Sequence, residues 1–349
     1  MPAAPECRTF VIATLGFLGF FLAMRWLNRK KKELVWERVG VVERLFIYPM
    51  KSASIHEHSA LTFGALGATS PDGIFRDRTF IAVDAETRRY ADVRKHHKIV
   101  TVTISHDSDT GRYSLSQAEH GKVDIGRPEE WEPADPVGLW DVTVGGNLVD
   151  CGSEAARMLS RVLLDAEEGM RLVYHKSSSQ PGRPPRPKWA NIYPKTFGKK
   201  TPPAFGDTTP YMVMTSSSVS ELKRRMNVED FDVKHFRPNV VVKADSEAPF
   251  QEDGWLGMIR FGEDVTLSWA KFCDRCSFTT INPVTGHLTP GGEPLKTLRT
   301  FRQMKHINHE DSALLQKKVG DRPVLGNNYV LESGGEVRIG DDVYVGKYV

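Results

Sequence analysis

Two cysteines separated by two residues, Cys273 and Cys276, are the part of the sequence best suited to metal or redox chemistry. Thiolates are soft ligands for zinc, copper, iron–sulfur clusters and molybdenum. The chain has four cysteines in 349 residues, too few for a disulfide-stapled secreted scaffold. Reduced thiols in a cytosol-facing domain are therefore expected, and the adjacent Arg275 is expected to lower the pKa of the thiol.

The spacing of the pair alone leaves three interpretations open. A tetrahedral zinc site needs four ligands, and His306 with His309 forms a candidate second pair about thirty residues later. A redox dithiol is less favoured, because the pair follows Trp-Ala-Lys-Phe without a thioredoxin-like βαβ pattern. Cysteines without any function are the third possibility.

The elements that would position these cysteines are predicted to be mainly short strands. One strand is predicted over residues 39–50, and two strands around an Asp-Ala-Glu-Thr turn over residues 75–94. Hairpins are predicted over residues 98–117 and over residues 334–349, the second with its turn at Gly340, Asp341 and Asp342.

Helices are predicted at only two places. One would begin at Ser153, with that serine as N-cap, and the other would cover residues 217–226. The sequence therefore predicts a mostly β fold with some α (α+β), barrel-like rather than built from alternating βα units.

The N-terminal segment is predicted to be a membrane anchor. Residues 9–24 carry no charge, and the apolar stretch approaches the roughly 20 residues that span a bilayer. A cleaved signal peptide is the competing interpretation, but no A-x-A cleavage pattern follows. Five basic residues lie between positions 25 and 32 and only Arg8 precedes the stretch, which predicts that the C-terminal bulk faces the cytosol.

Four segments follow from these patterns: an anchor with its basic flank at residues 1–32, a domain at 39–175, a loop at 176–203 and a second domain at 204–349. The loop is rich in proline and in basic residues and has no acidic ones, so regular structure is not expected. It is either a solvated linker or a basic loop that docks an acidic partner.

The formal net charge of +3 is too small to indicate nucleic-acid binding.

Several motifs, taken in order, resemble those of the MOSC-domain family. They begin with Tyr-Pro-Met-Lys-Ser and Phe-Arg-Asp-Arg and end with Gly-Asn-Asn-Tyr-Val-Leu-Glu, and together they span residues 40–349. The segments that carry the resemblance are 48–52, 75–78, 205–210, 235–239, 273–286 and 326–332.

The resemblance implies an N-terminal β-barrel domain followed by a MOSC β-barrel domain, with a molybdenum–molybdopterin cofactor between them. It implies that Cys276 is the metal ligand and is catalytic, with Asp207 as a weaker catalytic candidate. Lysine, arginine and hydroxyl side chains suit the anionic pterin phosphate. The residues expected to line the cofactor are Lys51, Ser52, Arg78, Arg94, Thr208, Thr209, Arg237, Asn239, Asp274, Arg275 and Tyr329.

The activity that the resemblance implies is the two-electron reduction of N-hydroxylated compounds such as amidoximes and hydroxylamines. The sequence has no strand followed by G-x-G-x-x-G, so no nucleotide site is evident and electrons must come from a partner. By resemblance the partners are cytochrome b5 and NADH-cytochrome b5 reductase, and the membrane is the mitochondrial outer membrane.

Two alternatives stay open: a protein that carries molybdenum cofactor, and a zinc-stabilised structural protein. Two positions also depart from the family pattern. Ala53 stands where a cysteine is frequent, and Asn282 replaces the usual aspartate of a DPxTG segment. The second change puts in doubt any proton-transfer role for that position.

Overall fold

The computed structural model describes residues 33–176, 186, 204–309 and 312–348, and most of its regular structure is β-strand. The predicted mostly β fold with few helices is confirmed. The predicted anchor at residues 1–32 lies outside the described residues, as does almost all of the predicted loop after residue 176. Among the helices that are described, none has the length and apolar character needed to cross a membrane.

The strands of the described residues are numbered in chain order. They are β1 (Leu34–Ile47), β2 (His56–His58), β3 (Ala60–Gly64), β4 (Gly67–Thr69), β5 (Phe80–Asp84), β6 (Thr103–Asp107), β7 (Arg112–Gln117), β8 (Gly121–Gly126), β9 (Glu132–Pro133), β10 (Val137–Leu139), β11 (Val142–Val144), β12 (Leu148–Asp150), β13 (Met170–His175), β14 (Tyr211–Thr215), β15 (Val240–Ala244), β16 (Met258–Phe261), β17 (Val265–Asp274), β18 (Val324–Ser333), β19 (Gly335–Arg338) and β20 (Asp342–Tyr348). The α-helices are α1 (Ser153–Leu164), α2 (Ser216–Met226), α3 (Leu295–Phe301) and α4 (Ser312–Val319).

Seven strands close into a barrel in the order β15-β14-β18-β17-β16-β20-β1, with β1 pairing back to β15. The closure is made by β1, which pairs antiparallel with β20 at Glu37 and with β15 at Leu45. The strand β2 extends the sheet beyond β1. One strand from the first predicted domain is therefore part of the barrel of the second.

Successive side chains along the barrel strands point alternately to the inner and the outer face of the sheet, and both faces are packed. Val213, Val242 and Tyr329 belong to a cluster of buried side chains inside the barrel. Their neighbours Met212 and Met214 belong to a second cluster on the outer face, which also contains Leu222 of α2. Where α2 does not cover the outer face, side chains on that face can therefore contribute to a site.

Residues 80–175 form three smaller sheets, two of which contribute to a common hydrophobic core. The strand orders are β5-β13-β12-β9, β6-β7-β8 and the pair β10-β11. Helix α1 packs Ala155, Met158 and Leu159 into this core, which also contains Phe80 and Leu172. A fourth small sheet, β19-β3-β4, joins a C-terminal strand to two N-terminal ones.

Several predicted elements are confirmed: the first strand, the β6–β7 hairpin and both helices. The second strand predicted within residues 75–94 is wrong. There Arg89 and Tyr90 form only isolated bridges, and the Asp92 carboxylate then accepts a hydrogen bond from the Arg94 amide and turns the chain. Ser153 is not the N-cap of α1, because Gly152 occupies that position with a φ of 91°.

The predicted C-terminal hairpin is also wrong, although both of its strands exist. Strand β19 pairs with β3, while β20 pairs with β1 and β16. The turn between them is closed by the Arg338 amide, which donates to the Asp341 carboxylate at 2.7 Å. Long-range partners therefore replace the local pairing that the turn residues indicated.

Candidate cofactor-binding site

A cavity of about 320 Å³ is lined by residues from both halves of the chain, and it is called the cationic cavity below. The structure brings nearly all of the predicted site residues together in its wall. Those residues are Lys51, Ser52, Arg78, Arg94, Asp207, Thr208, Thr209, Arg237, Asn239, Asp274, Arg275 and Cys276.

Tyr329 is the predicted site residue that the structure does not bring to the cavity. Its side chain is fully buried inside the barrel, where its hydroxyl donates to the Trp255 carbonyl at 2.7 Å. Since neighbouring side chains of a strand point to opposite faces, it is Asn328 that reaches the outer face and lines the cavity. This segment therefore reaches the cavity through Asn328 and not through Tyr329.

Positive charge dominates the wall. Among the described residues, eight lysine and arginine side chains line the cavity, against the two carboxylates of Asp207 and Asp274. Guanidinium and ammonium groups bind phosphate and other oxyanions through charge-assisted hydrogen bonds. The cavity is therefore suited to an anionic ligand. The eight cations are Lys51, Arg78, Arg94, Arg186, Arg237, Lys271, Arg275 and Arg322.

Tyr48 lies between two of these arginines. The guanidinium carbons of Arg78 and Arg237 lie 4.7 Å and 4.0 Å from the centre of its ring. Its hydroxyl donates to the Pro238 carbonyl at 2.6 Å, and its amide donates to the buried Asp77 carboxylate, which also pairs with Arg78. The end of β1 thus fixes both cations through cation–π contacts.

Arg237 has an incomplete set of partners. It is almost fully buried, and one terminal nitrogen, Nη1, donates to the Ala53 carbonyl at 2.7 Å. The other terminal nitrogen, Nη2, is buried without a hydrogen-bond partner among the described residues. Burial lowers the pKa of Arg237 to about 10. A buried cation without a counter-ion costs free energy, so this nitrogen points to an anionic ligand.

Three wall residues adopt a left-handed backbone that is unusual for side chains other than glycine. The φ angles are 66° at Ser52, 53° at Arg78 and 54° at Arg237. Each costs roughly 1–2 kcal/mol relative to a right-handed conformation. Such conformations cluster where a site demands a particular direction of the side chain.

Cys276 follows the end of β17 and precedes a short 3-10 helix at Ser277–Thr280. Burial raises the pKa of its thiol, and the backbone amide of Phe278 and the charge of Arg94 only partly oppose that rise. The prediction that Arg275 lowers this pKa is wrong. Arg275 points away, with Nε donating to the Leu325 carbonyl and Nη1 to the Phe236 carbonyl, both at 2.9 Å.

Trp140 contacts several charged residues of the cavity wall and was not found from the sequence. Its ring centre lies 5.7 Å from the Lys51 ammonium, 5.0 Å from the Arg94 guanidinium and 5.1 Å from that of Arg186. Its indole nitrogen donates to the Asp207 carboxylate at 3.1 Å, and Asp207 also pairs with Lys51. A single tryptophan between two short strands carries no sequence signal for this role.

The two carboxylates of the wall are both held in their charged form by cations. Burial alone would raise the pKa of Asp207, but the charge and hydrogen bond of Lys51 outweigh it and lower the pKa. Asp274 accepts hydrogen bonds from Lys271 at 2.8 Å and from Arg322 at 3.1 Å, and these cations likewise lower its pKa against the effect of burial. Lys271 and Arg322 are further wall residues that the motifs did not indicate.

Comparison with known proteins assigns the two halves of the chain. Residues 39–166 match the family model described as the MOSC N-terminal beta barrel domain, and residues 200–344 match the MOSC domain. The chain is 30% identical to mitochondrial amidoxime-reducing component 1 of Danio rerio over 95% of this chain and 91% of that protein. The chain belongs to the MOSC-domain family.

Other relatives of this MOSC protein have similar names. Mitochondrial amidoxime-reducing component 1 of Homo sapiens is 28% identical over 96% of this chain and 92% of its own length. Mitochondrial amidoxime reducing component 2 of Macaca fascicularis is 28% identical over 99% and 95%. Among solved structures, the YUAD protein from Bacillus subtilis aligns over 90% of this chain and 100% of its own, with a TM-score of 0.33 and 10% identity. A similarity this low assigns neither a fold nor a function.

The four residues considered as alternative zinc ligands are not brought together in the described part of the chain. Cys273 and Cys276 line the cationic cavity, whereas His306 accepts a hydrogen bond from the Gln303 amide and His309 packs its ring against Trp269. In the described part of the chain, no three His, Cys, Asp or Glu side chains lie close enough to hold a metal ion. A metal held through one thiolate, with its other ligands from a cofactor, needs no such cluster.

Asn282, where the family pattern led us to expect aspartate, has a structural role here. Its side-chain oxygen accepts hydrogen bonds from the Val284 amide at 2.9 Å and the Thr285 amide at 3.1 Å. This is an Asx turn, which asparagine and aspartate form equally well. Asn282 is not among the wall residues of the cationic cavity, so the substitution leaves the wall unchanged.

Proposed function

We propose that this MOSC protein is a molybdenum-cofactor-dependent reductase of N-hydroxylated compounds such as amidoximes and hydroxylamines. The observation that carries the proposal is the buried, unpartnered Nη2 of Arg237 in a cavity that also contains Cys276. The names of its amidoxime-reducing relatives supply the reaction class.

The residues of the cationic cavity fit an anionic pterin cofactor. Arg237, Arg78 and Lys51 would pair with its phosphate and polar edges, while Ser52, Thr208, Thr209 and Asn239 would supply neutral hydrogen bonds. Cys276 would be the metal ligand. When bound, the cofactor supplies the two-electron chemistry that converts an N–OH group to N–H with release of water.

The protein's own contribution is to bind, orient and supply protons. The reaction consumes two protons, and Lys51 with Asp207 forms an ion pair at the cavity wall beside Trp140. We assign this pair to hold a proton near the reacting group, with Trp140 fixing the carboxylate. Two other wall residues have a supporting role instead. Arg275 donates a hydrogen bond to the Leu325 carbonyl, and Asp274 accepts hydrogen bonds from Lys271 and Arg322.

The wider arrangement is part of the same proposal. Residues 39–175 and 204–349 would form the two domains, joined by the loop at 176–203. Residues 1–32 would anchor the chain in the mitochondrial outer membrane, with the catalytic part facing the cytosol. Electrons would pass from NADH through cytochrome b5 reductase and cytochrome b5.

Reconstitution of the purified full-length chain tests this function. With NADH, cytochrome b5 reductase and cytochrome b5, benzamidoxime should be converted to benzamidine, and omission of cytochrome b5 should abolish turnover. Molybdenum in the protein without turnover would favour a cofactor carrier instead. Stoichiometric zinc without molybdenum would favour a structural protein and overturn the proposal.

A further inference from the structure

A second cavity of about 580 Å³, called the side cavity below, adjoins the cationic cavity. The two cavities meet at Arg94, Trp140 and Arg186, which line both of them. Arg94 and Cys276 are close enough that each charge shifts the pKa of the other. The shared wall therefore lies beside the cysteine that is the proposed metal ligand.

The shared arginines carry little free charge toward the side cavity, because each has a carboxylate partner. The guanidinium of Arg94 donates to Asp92 at 2.9 Å, and that of Arg186 donates to Asp141 at 2.6 Å. Among the described residues, four lysine and arginine side chains and three carboxylates line the side cavity, so its charge is nearly balanced, in contrast to the excess of cations in the cationic cavity. An anion would gain little here.

Two further polar groups of the side cavity also have partners within the protein. The Asp84 carboxylate accepts hydrogen bonds from the Thr87 amide and hydroxyl, both at 2.7 Å. Arg89 donates to the Trp140 carbonyl at 3.1 Å. A ligand therefore meets polar groups that already have partners, which disfavours a strongly charged molecule.

Apolar and aromatic surface completes the wall. The rings of Tyr90 and Trp140 lie with their centres 4.9 Å apart at an angle of 53°, and Leu164 and Met170 line the same cavity. Ligand pockets commonly combine such apolar walls with a few fixed polar groups. The side cavity combines this apolar surface with a nearly balanced charge, whereas the wall of the cationic cavity has a large excess of cations.

We propose that the side cavity binds the organic part of the substrate, which is uncharged and at least partly aromatic or apolar. This inference rests on the proposed reductase function. In this proposal the two cavities have different ligands. The cationic cavity binds the anionic cofactor, and the side cavity binds the substrate. The N–O group would then approach Cys276 past Arg94 and Trp140.

Enlarging a side chain of the side cavity tests this division. Leu164 lines only the side cavity and is 40% exposed, so Leu164→Trp should fill space without disturbing the fold. Val228 is similarly exposed at 41% and lines neither cavity, which makes Val228→Trp a matched control.

Two substrates of different size give the decisive comparison. Leu164→Trp should raise KM for benzamidoxime by about tenfold or more, a range typical of steric discrimination in apolar pockets. KM for hydroxylamine, which has no organic part, and the molybdenum content should stay at the wild-type values. Unchanged KM for benzamidoxime, or an equal rise for both substrates, would overturn the inference.

A direct binding measurement separates this inference from the function on which it rests. Calorimetric titration of benzamidoxime into the purified protein should give a Kd about tenfold weaker for Leu164→Trp than for Val228→Trp. Equal Kd values would refute the side cavity as the binding site even if the enzyme is active. Absence of both molybdenum and turnover in the wild type would refute the function, while the titration would still decide where the ligand binds.

Discussion

At the scale of single residues, the cationic cavity gathers groups that cost the folded protein free energy. Arg237 is buried with an unpartnered nitrogen and a left-handed backbone, and Arg78 and Ser52 share that backbone conformation. Residues of this kind persist when function requires them. Their positions in the wall could be predicted from motif order, but the missing partner of Arg237 could be seen only in three dimensions.

Replacing Arg237 should separate function from stability. Arg237→Met removes a buried charge that lacks a counter-ion but also leaves the Ala53 carbonyl without its donor, so the two effects oppose each other and the unfolding free energy of the cofactor-free protein should change by less than about 2 kcal/mol. Molybdenum content should fall at least about tenfold, since an anion loses its buried cation. Urea unfolding and elemental analysis measure the two effects.

Arg260→Met provides a matched control for this change. Arg260 also has a buried nitrogen without a partner among the described residues, but it packs over Trp36 and Tyr344 and is not part of the cavity wall. This variant should retain molybdenum. Loss of stability in Arg237→Met with unchanged molybdenum would show that Arg237 is structural.

At the scale of elements, the sequence predicted what depends on local patterns. Helices α1 and α2, strand β1 and the β6–β7 hairpin follow from hydrophobic spacing and turn residues. Pairing between distant strands could not be predicted in this way, because the partners of β19 and β20 lie some 300 residues earlier in β3 and β1. The same limit applies to Trp140, whose contacts depend on the packing of separate segments.

The turn at Asn282 allows a test of its structural role. Asn282→Asp introduces the residue expected from the family pattern and should keep both turn hydrogen bonds, with the unfolding free energy unchanged within about 0.5 kcal/mol. Asn282→Ala removes the acceptor and should cost about 1–2 kcal/mol. Urea unfolding and benzamidoxime turnover are the measurements. A large gain in turnover for Asn282→Asp would show that the carboxylate has a chemical role after all.

The N-terminus of helix α2 contacts the buried carboxylate of Glu252, and the ionisation of this group should make the stability of the fold depend on pH. Glu252 is fully buried and accepts hydrogen bonds from the hydroxyls of Thr215 at 2.7 Å and Ser218 at 2.8 Å. Burial, assisted by the charge of Asp253, raises its pKa. The folded state therefore favours the protonated form, so the contribution of this group is present below the ordinary glutamate pKa and is lost as pH rises through the raised value.

Glu252→Gln should remove this dependence. The unfolding free energy of the variant relative to the wild type should increase as pH rises from about 4, the ordinary glutamate value, toward neutrality. Urea unfolding at a series of pH values measures the difference. A constant difference across the series would mean that the Glu252 pKa is not raised in the folded state.

At the scale of the whole molecule, the barrel and the cationic cavity both require the two halves of the chain. Strand β1 closes a barrel whose other strands come from residues 211–348. The same strand leads into Lys51 and Ser52, which line the cavity together with Cys276. The MOSC family match at residues 200–344 therefore marks a segment whose barrel is completed from outside that segment.

A fragment of residues 204–349 should not fold alone, because without β1 the strands β15 and β20 would have exposed edges. A chain starting at residue 33 keeps the whole barrel and serves as the control. Chemical-shift dispersion in nuclear magnetic resonance spectra should indicate a folded structure for the control only. Urea unfolding should likewise be cooperative for the control only. Cooperative unfolding of the fragment would contradict the structural role assigned to β1.

The central claim is that Cys276 is the protein ligand of a molybdenum cofactor held in the cationic cavity. Elemental analysis of the purified wild type, Cys276→Ser and Cys273→Ser tests it most directly, since both cysteines line the cavity, Cys273 near the end of β17 and Cys276 just after that strand. The wild type and Cys273→Ser should contain about one molybdenum per chain, and Cys276→Ser should contain far less. Equal molybdenum in both variants, or zinc in place of molybdenum in the wild type, would contradict the claim.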